Sequence, residues 1–375
     1  MKLLKIWMTN VGLTLLRLVP WPRKPALIEV GQPGRGSPVL LTCNYALTVE
    51  RVVRALQGQD CYLLIANSRG VNVWCAAAGG LFTHHDVVSA LKTSGIEARV
   101  DHRTVILPQL AAAGIEAREV RRRAGWRVVW GPVDARDLHA FLGHAQVPGP
   151  EGRRIQFRLR ERLEMAVAWA APVSALVAVV LVFAWRAALA PALLLVWTLS
   201  LLVFAAFPLY ARRLRPMSRG RGLSFERGGV QVLLWAVSVG GLLCYALLTG
   251  TFSWAWLWRW VLLAGVLVVL VTVDLAGMTP VLKSGTHEER LYRVVLDRDR
   301  CLGEGVCAQV CPRGCFEVGD VATMPGAARC VQCAACVVQC PGDALSLAGP
   351  QGEVLSPESV RRYKLNLMGT RAREN

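Results

Sequence analysis

Eight of the twelve cysteines in this 375-residue chain fall between positions 301 and 340, at spacings that suit metal binding. The last four form the run C-x2-C-x2-C-x3-C-P, made by Cys330, Cys333, Cys336 and Cys340 with the proline that follows. Such a run holds iron–sulfur clusters, because a tight loop directs three thiolates at one cluster and the fourth at a neighbouring cluster. Zinc sites do not need the fourth cysteine with its proline. The spacing therefore predicts iron–sulfur clusters that transfer electrons. The cysteines that hold them must stay reduced.

The first group of cysteines departs from this run at one position. Aligned on its proline, it consists of Cys301, Cys307 and Cys311, with Glu304 where a second cysteine would fall. In bacterial two-cluster ferredoxins, which share the complete run, the fourth cysteine of each group serves the other cluster. On that rule, the predicted ligands are Cys301, Cys307 and Cys340 for the first site, and Cys330, Cys333, Cys336 and Cys311 for the second.

The missing thiolate leaves several interpretations of the first site open. It holds a three-iron (3Fe-4S) cluster, a four-iron (4Fe-4S) cluster in which Glu304 or water meets one iron, or a cluster completed by Cys315. Alternatively, Cys315 is a spare thiol, or the loop is rearranged. The second site is predicted to hold a complete 4Fe-4S cluster.

The composition places these cysteines on a membrane protein. Hydrophobic residues make up 54% of the chain, which is too apolar for a purely soluble protein. Four apolar segments lie at about 165–185, 187–210, 229–248 and 254–273. Each reaches the roughly 20 residues that a helix needs to cross a bilayer. We expect a transmembrane domain at 163–276.

The charge distribution predicts how the chain lies in that membrane. The 43 basic and 26 acidic residues give a net charge of +17, and arginine crowds the loop between the second and third segments. Positively charged loops stay in the cytoplasm, and four spans return the chain to the same side. We therefore expect a multi-pass protein of the inner (plasma) membrane with both soluble domains cytoplasmic. No nucleic-acid-binding motif accompanies the charge, so no nucleic-acid partner is predicted.

Two soluble domains flank the spans. Over residues 37–150, short β-rich runs alternate with helix-forming stretches, which predicts an α/β, Rossmann-like domain with a parallel sheet. Residues 1–36 are expected to be a leader that is interfacial or poorly ordered, and residues 286–375 an α+β domain of the bacterial ferredoxin type with a tail. Cys75 follows a predicted strand near the start of a helix, where a thiol's pKa is lowered. Taken alone, this position is more simply explained as a small core residue.

The α/β domain resembles the corrinoid-binding domain of the mercury-methylating corrinoid proteins (HgcA), which are akin to the corrinoid iron–sulfur protein of the acetyl-CoA pathway. The matching stretches are SPVLLTCNYALT (37–48), NVWCAAAGG (72–80), HRTVILPQLAAAGIEA (102–117) and GWRVVWGPVDARDL (125–138). The resemblance extends through the membrane spans, and residues 286–341 resemble the partner ferredoxin of that family (HgcB). The chain is therefore similar to a fusion of the two proteins.

This resemblance implies a corrinoid (cobalamin) whose cobalt takes Cys75 as its lower ligand. The residues that would shape the contact are Asn72, Val73, Trp74, Ala76, Ala77 and Gly80. Electron donation by the thiolate favours release of a methyl group to an electrophilic ion, and the ferredoxin half would reduce the corrinoid so that it is methylated again. The implied partners are the lipid bilayer, a methyl donor such as a methylated folate or its methyltransferase, an electron donor and a soft metal ion.

Departures from the family bear on the substrate. The family has Gly-Lys where this chain has Ala78 and Gly79, and its ferredoxin has a cysteine in place of Glu304 and a further cysteine pair, thought to handle mercury, near the carboxyl end. No cysteine follows Cys340 here. We therefore predict a membrane-bound, corrinoid-dependent methyltransferase acting on mercury(II) or another soft metal or metalloid ion. The alternatives are a membrane electron-transfer protein without methyltransferase activity, and a corrinoid methyl carrier for an organic acceptor.

Overall fold

The computed structural model of the chain describes residues 12–15, 19–143, 152–210, 229–272 and 292–362. The chain divides into two units. One takes in residues 1–19 and 157–288, and the other takes in residues 20–156 and 289–375. The second unit therefore unites the α/β domain with the cysteine-rich region, although the apolar segments separate the two in sequence.

A five-stranded sheet forms the centre of the α/β domain. Its strands are β1 (Ala26–Val30), β2 (Val39–Cys43), β3 (Cys61–Ala66), β4 (Thr104–Leu107) and β5 (Arg127–Trp130). The strand order is β1-β3-β2-β4-β5, and the last four strands run parallel. β2 and β3 are buried at every position, as expected of central strands that are covered on both faces. The α/β prediction is confirmed.

Helices and short 3-10 turns connect these strands. The helices are α1 (Ala46–Ala55), α2 (Val73–Ala78), α3 (His84–Thr93), α4 (Ala117–Ala124) and α5 (Leu138–Gly143). The 3-10 turns are Ile96–Ala98, Gln109–Ala113 and Ala135–Asp137. α1 buries one apolar stripe, formed by Ala46, Leu47, Val49 and Val52, as a surface helix does when it packs on a core.

The domain begins earlier than the predicted boundary at residue 37. β1 lies inside the expected leader and pairs along its whole length with β3, in the antiparallel direction. Nearer the amino terminus, Trp21 donates its backbone N–H to the carbonyl of Gly70 at 3.1 Å. The sheet therefore extends into residues that the sequence assigns to a leader. A single five-residue edge strand carries too little periodicity to be recognised from sequence. Most of residues 1–18 lie outside the described part of the chain.

The other unit contains four helices that are long and apolar enough to cross a membrane. They span Leu159–Ala184, Arg186–Ala205, Gln231–Leu248 and Trp254–Thr272. As secondary structure, the unit consists of α6 (Leu159–Ala184), α7 (Leu189–Ala205), the short α8 (Phe207–Tyr210), α9 (Gly229–Leu248) and α10 (Trp254–Thr272). This agrees with the four predicted segments, except that the first begins earlier and the second ends at 205.

Small side chains and interhelical hydrogen bonds join the helices of this unit. Ser200 is fully buried and donates its hydroxyl to the carbonyl of Ala166 at 2.8 Å, which ties α7 to α6. Trp235 donates its indole N–H to the carbonyl of Val261 at 2.9 Å, which ties α9 to α10. Both features are typical of helix packing in a bilayer. The arginine-rich loop lies outside the described residues, so the sidedness of the membrane stays a prediction.

The cysteine-rich region combines short strands with short helices. Its strands are β6 (Arg293–Leu296), β7 (Glu317–Val318), β8 (Ala322–Thr323), β9 (Leu345–Ala348) and β10 (Val354–Leu355). Its helices are α11 (Val306–Val310), α12 (Ala335–Gln339) and α13 (Pro357–Arg362). β10, β9 and β6 form one antiparallel sheet, and β7 pairs with β8. α11 and α12 lie inside the two cysteine groups, contact each other, and both contact the turn Gln109–Ala113 of the α/β domain.

Candidate functional site

Cys75 lies at the edge of the sheet where open α/β folds bind ligands. The chain leaves β2 towards β3 on one side and leaves β4 towards β5 on the other, so the strand order reverses between β2 and β4. Ligands of such sheets bind beyond the carboxyl ends of the strands at this reversal. The helix that carries Cys75, α2, follows the carboxyl end of β3 and contacts the turn Gln109–Ala113, which follows the carboxyl end of β4.

A single buried side chain organises the loop that leads into α2. Asn44 comes directly after β2 and is 2% exposed. Its Oδ1 accepts hydrogen bonds at 2.9 Å from the backbone N–H of Ser68, the hydroxyl of Ser68 and the backbone N–H of Gly70. Its Nδ2 donates to the carbonyl of Arg23 at 3.0 Å. One asparagine therefore joins the residues before β1 to the turn between β3 and α2.

The α2 helix presents Cys75 on its accessible side. Asn72 caps the helix, because its side-chain oxygen accepts the backbone N–H of Cys75 at 3.0 Å. Val73, Ala76 and Ala77 are buried, with both alanines fully enclosed, whereas Trp74 and Cys75 keep partial exposure. Ala76 and Ala77 therefore pack the helix onto the protein, and only the opposite side is open to a ligand. Gly80 follows the helix with φ +71°, a conformation that favours glycine.

Two glycines allow α2 to sit against its neighbours. A Cβ atom at Gly114 would lie 2.5 Å from the carbonyl oxygen of Phe82 and 2.7 Å from the Cα of Ala77. A Cβ atom at Gly79 would lie 2.8 Å from the carbonyl oxygen of Cys75. Both contacts are with backbone, so a side chain at either position would shift the helix. The lysine that the resembling family carries in place of Gly79 would not fit this form of the helix end.

Three of the predicted cluster ligands lie together at the first site. The pKa of Cys307 is raised to about 11, chiefly by burial and also by the nearby thiolates of Cys340 and Cys301. These are the three residues that the crossed rule assigns to one cluster. Glu304, the fourth position of that loop, is exposed.

The predicted ligands of the second site also lie together. The pKa of Cys336 is raised well above its ordinary value by burial, and then by the thiolates of Cys333, Cys330 and Cys311. Cys311 comes from the first sequence group and Cys340 from the second, so the two groups exchange their last cysteines in space. A smaller contribution to the pKa of Cys336 comes from Cys307, so the two sites are neighbours.

The two cysteine loops share one backbone conformation. Positive φ angles occur at Gly303, Gly305 and Gly314 in the first loop. They occur at the corresponding Gln332, Ala334 and Asp343 in the second loop, where non-glycine residues are uncommon in that conformation. Glu304 thus takes the place of Cys333 in a loop of unchanged shape, which argues against a rearranged first loop.

Backbone N–H groups donate to sulfur in both loops. Cys315 donates to Cys311 Sγ and Ala344 donates to Cys340 Sγ, each at 3.3 Å and at corresponding places. Gln332 donates to Cys330 Sγ at 3.4 Å. Hydrogen bonds to sulfur are among the features that set the potential of an iron–sulfur cluster. Among the described residues, no three His, Cys, Asp or Glu side chains come close enough to hold one metal ion.

Cys315 lies beside two of the predicted ligands of the second site. Its side chain interacts with those of Cys311 and Cys330, which raises the pKa of Cys315, while the same contact lowers the pKa of Cys311 to about 6. Cys315 is 1% exposed. This position argues against Cys315 as the missing ligand of the first site and favours the interpretation as an additional thiol.

Three other side chains of the α/β domain that could bind a metal lie in its core. Cys43 and Cys61 are fully buried on β2 and β3, and burial raises the pKa of both. His84 begins α3 with its Nδ1 3.6 Å from Glu116 Oε1, and both side chains are buried. These positions identify core residues and not ligands that a cofactor reaches.

Comparison with known proteins finds proteins that are similar to the α/β domain. Residues 17–142 match the family model described as CO dehydrogenase/acetyl-CoA synthase delta subunit. The gamma subunit of the acetyl-CoA decarbonylase/synthase complex of Methanopyrus kandleri is 36% identical over 125 residues, which are 33% of this chain and 27% of that protein. Gamma subunit 2 of the same complex from Methanosarcina thermophila is 39% identical over 130 residues, 32% of this chain and 27% of the relative.

The α/β domain is similar to part of each of these subunits. The chain spans less than a third of the length of either relative, and the family match ends at residue 142, before the first membrane helix. The relationship therefore covers the domain that carries Cys75. The match also starts at residue 17, which agrees with a domain that begins before residue 37.

Sequence reasoning missed two residues that shape the site. Asn44 lies in the resembling stretch 37–48 and stands directly after a strand of the parallel sheet, where loop residues of neighbouring strands meet. Gly114 lies in one of the resembling stretches, but its close approach to α2 joins residues that are far apart in sequence. Neither contact follows from local pattern.

The Asn44 contacts predict a stability loss on substitution. Asn44→Ala would leave the backbone N–H groups of Ser68 and Gly70, and the hydroxyl of Ser68, without their acceptor. We expect this to lower the free energy of unfolding by about 3 kcal/mol. We expect a lower midpoint of thermal unfolding for the full chain in detergent. Gln57→Ala is the matched control, because Gln57 is exposed just after α1 and its loss should cost well under ~1 kcal/mol. Equal midpoints for the two variants would contradict the role of Asn44.

The close approach at Gly114 predicts a specific effect on the Cys75 helix. Gly114→Ala should displace α2 and destabilise the fold by about 1–3 kcal/mol, and it should weaken cobalamin binding. Gly143→Ala is the control, since nothing lies within 4 Å of a Cβ atom there. Unfolding midpoints and cobalamin titrations measure both effects, and wild-type values for Gly114→Ala would show that the helix has room.

The unchanged shape of the first loop predicts that its thiolate can be restored. Glu304→Cys should raise the iron content by about one atom per chain and replace a three-iron signal with a four-iron signal in electron paramagnetic resonance. Glu317→Cys, on β7 and exposed, is the control and should leave both unchanged. An unaltered iron content and signal in Glu304→Cys would mean that the wild-type site already holds four irons.

Proposed function

We propose that the chain is a membrane-bound, corrinoid-dependent methyltransferase with its own iron–sulfur electron donor. One observation carries this proposal. A partly exposed cysteine on a capped helix, at the ligand-binding edge of an α/β sheet, belongs to the same unit as two cysteine groups arranged as cluster sites. The relationship of residues 17–142 to acetyl-CoA synthase subunits supports methyl transfer as the chemistry.

The residues of the α/β domain fit a corrinoid held over α2. Cys75 would bind the cobalt through sulfur, Asn72 keeps the helix end and thus the thiol in place, and Trp74 lies on the same open side. When bound, the corrinoid supplies a transferable methyl group and the clusters supply single electrons at low potential. The protein's part is to hold the thiolate on the open side of α2 and to keep the cluster sites in the same unit.

The cysteine groups fit two clusters of unequal type. The second site has four cysteines and the additional thiol of Cys315, whereas the first has Cys301, Cys307 and Cys340 with exposed Glu304 at the fourth position. We propose one 4Fe-4S cluster at the second site and a 3Fe-4S or labile 4Fe-4S cluster at the first, within a domain of the bacterial ferredoxin type. An external one-electron donor would reduce the clusters again.

The proposed acceptor is mercury(II) or another soft metal or metalloid ion. A thiolate below cobalt favours departure of the methyl group with its electron pair, which an electrophilic ion requires. The four helices that could span a membrane support a membrane protein. We further propose an inner-membrane protein with both soluble domains in the cytoplasm, as the arginine-rich loop predicts, where a methylated folate or its methyltransferase would supply the methyl group.

A corrinoid methyl carrier for an organic acceptor is a second candidate. It is favoured by the relatives, which are subunits of acetyl-CoA decarbonylase/synthase complexes. Methyl transfer from loaded protein to mercury(II), compared with transfer to a thiol acceptor, separates the two. Methylmercury formation supports the first candidate, and transfer to the organic thiol alone supports the second.

Reconstitution with cobalamin tests the ligand assignment. After anaerobic loading, Cys75→Ala should lose the absorption features of thiolate-bound cobalt. It should also bind cobalamin at least about tenfold more weakly, since even second-shell partners of a metal contribute roughly 10–100-fold. Cys244→Ala is the control, because Cys244 is an exposed cysteine of α9. An unchanged cobalt spectrum in Cys75→Ala would reject Cys75 as the ligand.

A further inference from the structure

The side chain of Gln339 joins the cysteine-rich region to the α/β domain. Its Nε2 donates to the carbonyls of Ala112 and Ile115, at 2.7 and 2.5 Å, and its Oε1 accepts the backbone N–H of Ala117 at 3.2 Å. Gln339 is only 9% exposed. A buried amide with both its oxygen and its nitrogen paired to one backbone segment fixes position and orientation together.

An ionic contact beside Gln339 has the same effect. Asp343 lies 3.7 Å from Arg118 of α4 and also pairs with the buried Arg361 of α13. Arg361 in turn donates to the carbonyl of Val338 at 3.2 Å. The end of α12 is thus held from both sides, by the α/β domain and by α13.

The segment that Gln339 grips is the one that supports the Cys75 helix. We call residues 109–117 the support segment. Its turn Gln109–Ala113 contacts α2, and Gly114 approaches Ala77 so closely that no Cβ atom fits between them. Gln339 therefore contacts one side of the support segment, and the helix of Cys75 contacts the other.

Residues of both predicted cluster sites lie next to the contact between Gln339 and the support segment. α12 contains Cys336 of the second site, and Gln339 is bonded directly to Cys340 of the first. α11, which contains Cys307 of the first site, also contacts the turn Gln109–Ala113. One path along these contacts runs from Cys340 through Gln339 and the support segment to α2.

We propose that Gln339 is a positioning residue, which holds the cluster-bearing loop of Cys340 against the support segment so that electrons pass to the site at Cys75 within one unit. This inference rests on the proposed function. In the transfer, a reduced cluster loses one electron and is oxidised by one unit, while the corrinoid cobalt gains that electron and is reduced by one unit. A low-potential one-electron donor restores the cluster, and Gln339 itself transfers no atom or proton.

The first test measures the contact without any corrinoid. Hydrogen exchange of the full-length protein is followed by mass spectrometry in detergent, under anaerobic conditions and with iron loaded. Gln339→Ala removes the acceptor of the Ala117 N–H and the donor to two buried carbonyls, so exchange in residues 112–117 should accelerate by about 100-fold. Gln339→Glu is close in size but places a carboxylate against the two carbonyls, and it should accelerate exchange as well.

A glutamine on the other cysteine helix supplies the matched control. Gln309 of α11 is exposed, so Gln309→Ala should leave exchange in residues 112–117 at the wild-type rate. Iron content and the cluster signals in electron paramagnetic resonance should match wild type in every variant, which verifies that the cysteine loops are folded. Wild-type exchange in both Gln339 variants would overturn the proposed contact.

The second test measures electron transfer after cobalamin is bound. The clusters are partly photoreduced, and their reoxidation is followed together with the reduction of cobalt in one optical record. Gln339→Ala should slow this transfer by at least about tenfold, as expected if docked molecules become a minority, when both proteins are compared with cobalamin at saturation. Wild-type transfer rates in Gln339→Ala would overturn the positioning role. If wild-type protein binds no cobalamin, the proposed function fails and the electron route fails with it, whereas wild-type rates with cobalamin bound reject Gln339 alone.

Discussion

The packing of the Cys75 helix on residues 109–117 is the contact on which the unit of the α/β domain and the cysteine-rich region depends. α2 has six residues, and an isolated helix of that length is not stable in water. It persists because Asn72 caps it, because Val73, Ala76 and Ala77 are buried, and because Gly114 lets the two backbones meet. The same residues 109–117 receive the amide of Gln339 on their other side. One short segment therefore determines both how Cys75 is presented and where the cysteine groups lie.

The cysteine-rich region shows how a repeated loop tolerates one changed ligand. The two loops agree in the positions of their left-handed residues and in the N–H groups that donate to Cys311 and Cys340. Backbone shape is thus set by the loop and its neighbours, and not by the fourth thiolate. Where the first loop uses glycines, the second accepts Gln332 and Ala334 at some cost in backbone energy. Replacement of the corresponding cysteine by Glu304 changes the chemistry of one site while the geometry around it is retained.

Much of the architecture could be predicted from the sequence, because it depends on patterns among residues that are close together in the chain. The parallel strands, the four apolar helices and the two cysteine groups follow from periodicity, length and spacing. β1 was missed because a short edge strand has no such pattern, and its pairing partner, β3, comes more than thirty residues later. Asn44, Gly114 and Gln339 were missed for a related reason. Their importance lies in contacts between residues that are far apart in the chain, and a single sequence does not record those contacts.

The central claim is that one chain carries both a corrinoid and iron–sulfur clusters. Cobalt and iron analysis of full-length protein, purified anaerobically after incubation with cobalamin, tests it most directly. The account predicts about one cobalt together with roughly seven or eight irons per chain. Protein that retains iron but no cobalt would contradict it, and would leave a membrane electron-transfer protein in its place.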